Sequence, residues 1–435
     1  MSNNRTCYVH CNVLNIHTGD WIENCSISIC DDKIAGIGSD HCLPKDKTKV
    51  VDATGLWAIP GLIDAHVHLC DEVEPALLDE FDLSEPKEQS LQRAVRNVRQ
   101  ALSTGITTLR DVGSADARSI WVRENLSRHL DAVPTILSAG NIITYTDGHC
   151  AAIAIEVSNK QEIYDAVKKN ADAGADLIKV TNDPEDDEAQ GRGSDPTLSV
   201  NQLGYLVEIA DSFGLPVACH TFPSVEGVRR AMLAGCHTIE HAVPLNNDLV
   251  TELETSSSIL VPTVSAAIDE FPLNDVINNF PGGELTPAHK TFFNTNVARD
   301  RHSPLRPGGA PVSVKEWLKR ISTFLPVGLK NDNIAFAVGT DAGCMGTNFR
   351  SAPREIFFLN EFGASTLKAL QFGTIGGAKA LGLDNVGSIE VGKNADILFF
   401  DSNPLMDLTT LTRPQMVLVK GYQIPDGELN NESFN

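Results

Sequence analysis

Leu91-Gln92-Arg93-Ala94-Val95-Arg96-Asn97-Val98-Arg99-Gln100-Ala101-Leu102-Ser103 carries its apolar residues at helical spacing, and two residues later Ile106-Thr107-Thr108-Leu109-Arg110-Asp111 is a β-type run. A helix followed at once by a strand is the repeating unit of a parallel α/β fold. The same alternation recurs along the chain. Helix-like Glu162 to Ala173 precedes Leu177 to Val180, Leu203 to Phe213 precedes Pro216 to His220, Val225 to Ala234 precedes Thr238 to His241, and Leu249 to Thr255 precedes Ile259 to Val264. A helix-capable segment, Val314 to Phe324, comes before the run Ile334 to Thr340.

With Leu62 to His66 as the first strand and Thr135 to Ile142 as the third, the count reaches eight, the number that closes a parallel barrel. The expected fold class is therefore α/β, a (β/α)8 TIM barrel over residues 59–384. The flanks read differently: Cys7 to Ile16, Cys25 to Cys30 and Ile34 to Ile37 before it, and Ala395 to Asp401 and Met416 to Val419 after it, are short β-type runs between turn signals. Residues 1–58 and 385–435 are expected to meet as a small composite β-sandwich domain.

Composition narrows the function classes. In 435 residues, 42% are hydrophobic and 21% charged, an ordinary globular balance. The net charge of -22, from 35 Lys+Arg against 57 Asp+Glu, disfavours a nucleic-acid or anionic-membrane partner, because phosphate binding needs a basic field. No run has the length of a membrane span and the start lacks a signal-peptide apolar region, so a cytoplasmic protein acting on a small molecule is expected. The ten cysteines, including Cys7, Cys11, Cys25, Cys30 and Cys42, form no C-x-x-C pair and read as reduced, mostly buried thiols. The acidic run Asp183-Pro184-Glu185-Asp186-Asp187-Glu188 reads most simply as a solvated loop, the other reading being a loop that shapes a site mouth.

Candidate chemistry gathers where strands end. In His66-Val67-His68 the spacing of two puts both imidazoles on one face of a strand, where one ion can be held by both. Lys179 ends an apolar strand, where an ammonium is costly to bury unless it snorkels or is paired. His220 and His241 follow β-type runs, and Asp341, in Val338-Gly339-Thr340-Asp341-Ala342-Gly343, ends another. Each alone has a structural explanation: core histidines, a paired lysine, a helix-capping aspartate. Together they fall at the C-terminal ends of strands one, four, five, six and eight, the active-site face of such a barrel, and their donors suit a divalent metal.

Ala58-Ile59-Pro60-Gly61-Leu62-Ile63-Asp64-Ala65-His66-Val67-His68-Leu69 resembles the first-strand signature of the amidohydrolase superfamily. Gly105 to Gly113 is similar to its second-strand motif, and Gly387 to Ile397 to its return into a small β-domain. Lys179 in place of a glutamate, together with Thr144-Tyr145-Thr146-Asp147-Gly148-His149, resembles the imidazolonepropionase-like branch, which holds metal-dependent Xaa-Pro dipeptidases, carboxypeptidases and ochratoxinase-type amidases.

The resemblance implies a binuclear hydrolase. His66 and His68 would bind the more buried ion with Asp341, and His220 and His241 the more exposed one. Lys179, carbamylated by CO2, would bridge them. Zinc is the expected metal, with manganese or cobalt as alternatives. A bridging hydroxide would attack an amide carbonyl while Asp341 acts as general acid/base. His149 is the candidate for orienting the oxyanion or receiving a substrate carboxylate; Tyr145, Arg350 and Phe222 are further pocket candidates. Phe222 stands where many relatives have Tyr or His, and the acidic run replaces a glycine-rich loop. An N-acyl amino acid or an ochratoxin-like aromatic amide therefore fits at least as well as a dipeptide. Two alternatives remain: a same-fold metal enzyme opening a cyclic amide or lactone, deaminating or decarboxylating, and a non-catalytic module of the same fold. Assembly into a homo-oligomer is expected by analogy with relatives.

Overall fold

The computed structural model describes residues 5–38, 48–71, 85–184, 196–222, 224–242, 245–269, 276, 278, 280, 314–344 and 347–425. The chain opens with five strands, β1 (Arg5–Leu14), β2 (Trp21–Cys30), β3 (Lys33–Ile37), β4 (Thr48–Asp52) and β5 (Trp57–Pro60). Next come β6 (Leu62–Val67), helix α1 (Lys87–Ser103), β7 (Ile106–Asp111), α2 (Arg118–Asn125), β8 (Thr135–Ser138), β9 (Ile142–Tyr145) and β10 (Ile155–Val157). The alternation continues through α3 (Lys160–Asp172), β11 (Ile178–Thr181), α4 (Val200–Ser212), β12 (Val217–His220), α5 (Val225–Ala234), β13 (Thr238–Glu240) and α6 (Asn247–Leu253). It ends with β14 (Ile259–Val261), α7 (Val264–Asp269), α8 (Val314–Leu329), β15 (Ala335–Phe336) and α9 (Ala352–Glu361), before a return to strands at β16 (Ile397–Phe400), β17 (Met416–Val419) and β18 (Tyr422–Gln423).

Helix α1 buries Leu91, Ala94, Val95, Val98, Ala101 and Leu102, one stripe of the pattern read from the sequence. Helix α4 starts where Ser199 and Gln202 form a reciprocal capping box, and α5 ends at Gly235, whose φ of 85° suits glycine. The parallel strands form two sheets, β6-β7-β8 and β10-β9-β11-β12-β13-β14-β15. Beyond β15 the chain runs on beside β6: Ala65 N donates to Val338 O at 2.8 Å, and His68 N to Ala342 O at 2.7 Å. The eighth strand, expected over Ile334 to Thr340, thus keeps only Ala335–Phe336 as regular strand and continues as irregular backbone bonded to the first. The third strand, expected as one run, is interrupted at Gly140, where φ is 72°, so its halves join different sheets.

The two ends of the chain do come together. β1, β2, β3, β4, β5, β16, β17 and β18 make one eight-stranded mixed sheet in which β5 pairs parallel with β1 and antiparallel with β16. Tyr8, Val13, Ile27, Ile397, Phe399 and Leu418 form its core, with Tyr8 stacked on Phe399 at 5.2 Å. One cysteine departs from expectation. Cys7 is disulfide-bonded, whereas Cys11, Cys25, Cys30, Cys70, Cys150, Cys219, Cys236 and Cys344 are free. Spacing along a chain does not show which thiols folding brings within bonding reach. Among the described residues, no helix is long and apolar enough to cross a membrane.

Candidate metal centre

Strand ends place five histidine rings in a chain of contacts. His68 and His66 lie 5.7 Å apart between centroids, His66 and His241 4.7 Å, His241 and His220 4.5 Å, and His220 and His149 4.4 Å, the last pair stacked at 22°. Pairing sets this up: in the parallel register His220 lies opposite Thr181 on one side and Glu240 on the other, while Lys179 lies opposite Ala218. Lys179 therefore shares a face with Thr181 and with His220, two residues along the ladder from both.

Hydrogen bonds fix the rings. His66 Nδ1 is 2.6 Å from Glu240 Oε2, and His68 Nδ1 is 3.0 Å from the Gly113 carbonyl. Neither partner can donate, so each ring carries its hydrogen on Nδ1 and, when neutral, turns a bare Nε2 forward. Both Nε2 atoms face the same oxygen: Asp341 Oδ1 is 3.3 Å from His66 Nε2 and 3.2 Å from His68 Nε2. Ligand atoms of His66, His241 and Asp341 lie within 4.8 Å of one another, all three residues being buried. Three buried donors converging in this way could hold a cation. Burial works against a charged His68, but the Asp341 carboxylate outweighs it and holds the imidazole up at about 9. Asp341 itself is raised by burial, yet His66 and His68 outweigh this and leave it well below the usual carboxylate range.

Lys179 is buried with no hydrogen-bond partner for Nζ among the described residues, and burial pulls its pKa down. Burial also holds His220 and His241 well below the usual imidazole value, leaving both rings neutral and able to ligate at neutral pH. The donor set fits a divalent ion. Backbone strain marks the same places, since His241, Thr263 and Asp341, at the ends of strands six, seven and eight, have φ of 56°, 49° and 60°. Such left-handed residues cost roughly 1–3 kcal/mol each and persist where surrounding structure over-determines them. Gly339 permits the tight approach: a Cβ there would sit 2.4 Å from Val261 Cγ1 and 2.7 Å from His66 Cβ.

The other pocket candidates divide. His149 is brought into the cluster through its stack on His220 and is anchored by its backbone N, which donates to the Asp183 carbonyl at 2.8 Å. Phe222 lies beside it, its N donating to Asp183 Oδ2 at 2.8 Å. Tyr145 is turned to the strand's other side, with its hydroxyl 3.5 Å from the Ser158 carbonyl at the approach to α3. Arg350 donates from Nε to Ser103 Oγ at the C-terminal end of α1.

Several supporting residues are not evident from the sequence. Arg110, on β7, crosses the interior to donate to Ala65 O, to Thr238 Oγ1 at 2.9 Å and to Glu240 Oε1 at 2.8 Å. Burial alone would raise Glu240, and the Arg110 charge outweighs it to keep the carboxylate ionised behind His66. The available signal was two opposite charges inside β-type runs, which only pairing across the fold explains. Asp183 corrects the reading of its acidic run as solvated: it is buried, with Oδ2 3.8 Å from His220 Nε2, and burial pushes its pKa up to about 8. Residues 185–188 lie outside those described.

Glu355 works one layer further out. From α9 it accepts from Val264 N at 2.8 Å, Ser265 N at 2.6 Å and Ser265 Oγ at 2.7 Å, capping the start of α7. The adjacent Thr263 Oγ1 lies 2.6 Å from His241 Nδ1. Burial raises Glu355 from 4.5 to about 7. Between these values the folded chain holds a proton that the unfolded chain releases, so its contribution to stability is complete below about pH 4.5 and is lost as pH rises through about 7. In chelator-treated protein, thermal melts should therefore show a smaller loss of stability between about pH 5 and pH 8 for Glu355→Gln than for wild type.

Comparison with known proteins agrees with this architecture. A structure of a Xaa-Pro dipeptidase with bound methionine superposes with a TM-score of 0.78 at 23% identity, covering 97% of this chain and 100% of that one. Ochratoxinase from Aspergillus niger is 22% identical over 431 residues, 92% of this chain and 82% of its own length, and its crystal structure aligns with a TM-score of 0.74. The 5'-deoxyadenosine deaminase of Methanobrevibacter smithii is 24% identical over 402 residues, 87% of this chain and 80% of its own. The sequence profile described as the amidohydrolase family matches residues 57–424, a span that contains His66, His68, Lys179, His220, His241 and Asp341. This chain belongs to the amidohydrolase family.

Proposed function

We propose that this protein is a binuclear metal-dependent amidohydrolase that cleaves the C–N bond of a small amide: an N-acyl amino acid, a dipeptide or an ochratoxin-like aromatic amide. The observation that carries the reading is the convergence of His66 Nε2 and His68 Nε2 on Asp341 Oδ1, at 3.3 and 3.2 Å. His66, His68 and Asp341 would hold the inner ion, and His220 and His241 the outer one, with zinc the first choice and manganese or cobalt able to replace it. Bound there, divalent ions supply Lewis acidity that eases deprotonation of water and polarises a carbonyl.

The chain's own residues do the rest. Burial pulls the Lys179 pKa down, which favours the neutral amine whose Nζ lone pair would attack CO2; an N–C bond would form as a C=O π bond opens and one proton leaves, giving a carbamate anion that would add an oxygen ligand for the metal site. Asp341, held ionised, takes a proton from the attacking water and returns it to the departing nitrogen. His149, stacked against His220, is placed to steady the substrate's developing oxyanion or its carboxylate. Read as the staves of one barrel, the parallel strands would present all of these groups on one face.

Elemental analysis of purified protein should give about two ions per chain, with amide cleavage abolished by chelation and restored by zinc, manganese or cobalt. Lys179→Ala should lose both metal and turnover. Two ions with deamination or ring opening in place of amide cleavage would move the assignment to another reaction on the same site. No metal and no turnover under replete conditions would leave a non-catalytic module.

A further inference from the structure

Among the metal-site histidines, three are held from behind at Nδ1: His66 by Glu240, His68 by the Gly113 carbonyl and His241 by Thr263. Each offers Nε2 to the cluster. His220 is arranged the other way round. Its Nε2 faces Asp183 Oδ2 at 3.8 Å, which leaves Nδ1 as the nitrogen available for a ligand.

Asp183 is built for this place. Its side chain is 4% exposed, and Oδ2 is fixed by the Phe222 N–H at 2.8 Å. Oδ1 is buried with no hydrogen-bond partner among the described residues, packed so that a Cβ on Gly227 at the start of α5 would lie 3.5 Å from it. The backbone carbonyl of the same residue receives the His149 N–H at 2.8 Å. One residue after strand four thus ties together the two rings that stack at the outer half of the site. A buried carboxylate with unused acceptor capacity, facing an imidazole nitrogen, calls for an N–H there. The present 3.8 Å is longer than a hydrogen bond, but an imidazole that gives one nitrogen to a cation becomes a stronger donor at the other, which favours closing the gap.

We propose that Asp183 is the positioning residue of His220, holding its Nε2 so that Nδ1 is presented to the outer ion, and that each ion thereby has its own carboxylate–histidine pair, Glu240–His66 and Asp183–His220. The inference rests on the two-metal reading above. It gives Asp183 a task distinct from ligation and from proton transfer.

The test is Co2+ titration of chelator-stripped protein, followed by visible absorption and by competition with a chromophoric chelator, with thermal melts of the stripped forms alongside. Asp183→Asn keeps an acceptor for the Phe222 N–H and turns an amide NH2 in place of an acceptor oxygen toward His220; Asp183→Ser serves if the asparagine variant does not fold. The expected result is an unchanged melting temperature, a first Co2+ bound as in wild type, and a second bound about 10- to 100-fold more weakly with an altered spectrum. Two ions bound by the variant with wild-type affinities and spectra would overturn the inference while leaving the two-metal reading intact. Equal weakening of both ions with a lowered melting temperature would overturn it too, reducing Asp183 to a fold residue. Wild-type protein that takes up no second Co2+ would overturn the two-metal reading and this inference with it.

Discussion

Asp341→Asn is expected to lower kcat/KM on any amide substrate by roughly a thousandfold, within the range typical for loss of a positioned general acid/base. The asparagine is nearly isosteric and can still accept hydrogen bonds, so the fold should survive. It cannot take the proton of the attacking water or return it to the leaving nitrogen. A second readout separates this role from ligation alone. In chelated wild type the Asp341 charge is what holds His68 up at about 9 against the opposing effect of burial. Without that charge burial prevails, and the His68 titration followed by NMR should move below the usual imidazole value. A His68 that still titrates near 9 in the variant would contradict the electrostatic account. Wild-type turnover would contradict the catalytic one.

Glu240→Gln should have the largest effect on stability. Glu240 and Arg110 are both buried, 2.8 Å apart, and the same carboxylate receives His66 Nδ1 at 2.6 Å. Neutralising it strands the guanidinium in a dry interior, and breaking a buried pair from one side costs about 3–5 kcal/mol. The loss also frees the His66 ring, because a glutamine can either donate or accept and no longer fixes the proton on Nδ1. Chemical denaturation should show the stability loss, and metal analysis should show the inner ion held about 10- to 100-fold more weakly. Removing both charges in an Arg110→Met/Glu240→Gln double variant should cost less than the sum of the single changes, since neither charge is then left alone. Additive costs would mean that the two residues do not act as a pair.

The contrast between these carboxylates explains what was readable in advance. Asp341 sits at a strand end beside small residues, a local pattern that points to a ligand without knowledge of its neighbours. Glu240 is one residue before His241 inside a strand, and nothing local separates it from a surface-facing acid. Its meaning depends on Arg110, which is 130 residues away in sequence and 2.8 Å away in space. Asp183 was hidden by its company, because a run of acids reads as solvated, although its first member still belongs to the buried end of strand four. Tyr145 shows the converse case: its neighbourhood in the chain points to the site, whereas its hydroxyl lies 3.5 Å from the Ser158 carbonyl.

The sequence by itself determined the alternation of helix and strand, the return of both ends into β structure, and the grouping of His66, His241 and Asp341 as candidate metal ligands. These depend on hydrophobic period and on local position, which are properties of neighbouring residues. Only the tertiary structure decided where the third strand breaks, how the eighth frays against the first, and which thiol is bridged. It also decided which group stands behind each of three histidines: Glu240 behind His66, the Gly113 carbonyl behind His68 and Thr263 behind His241. Those outcomes depend on register between distant segments and on burial, and burial is what turns an ordinary acid or lysine into a group that must find an opposite charge.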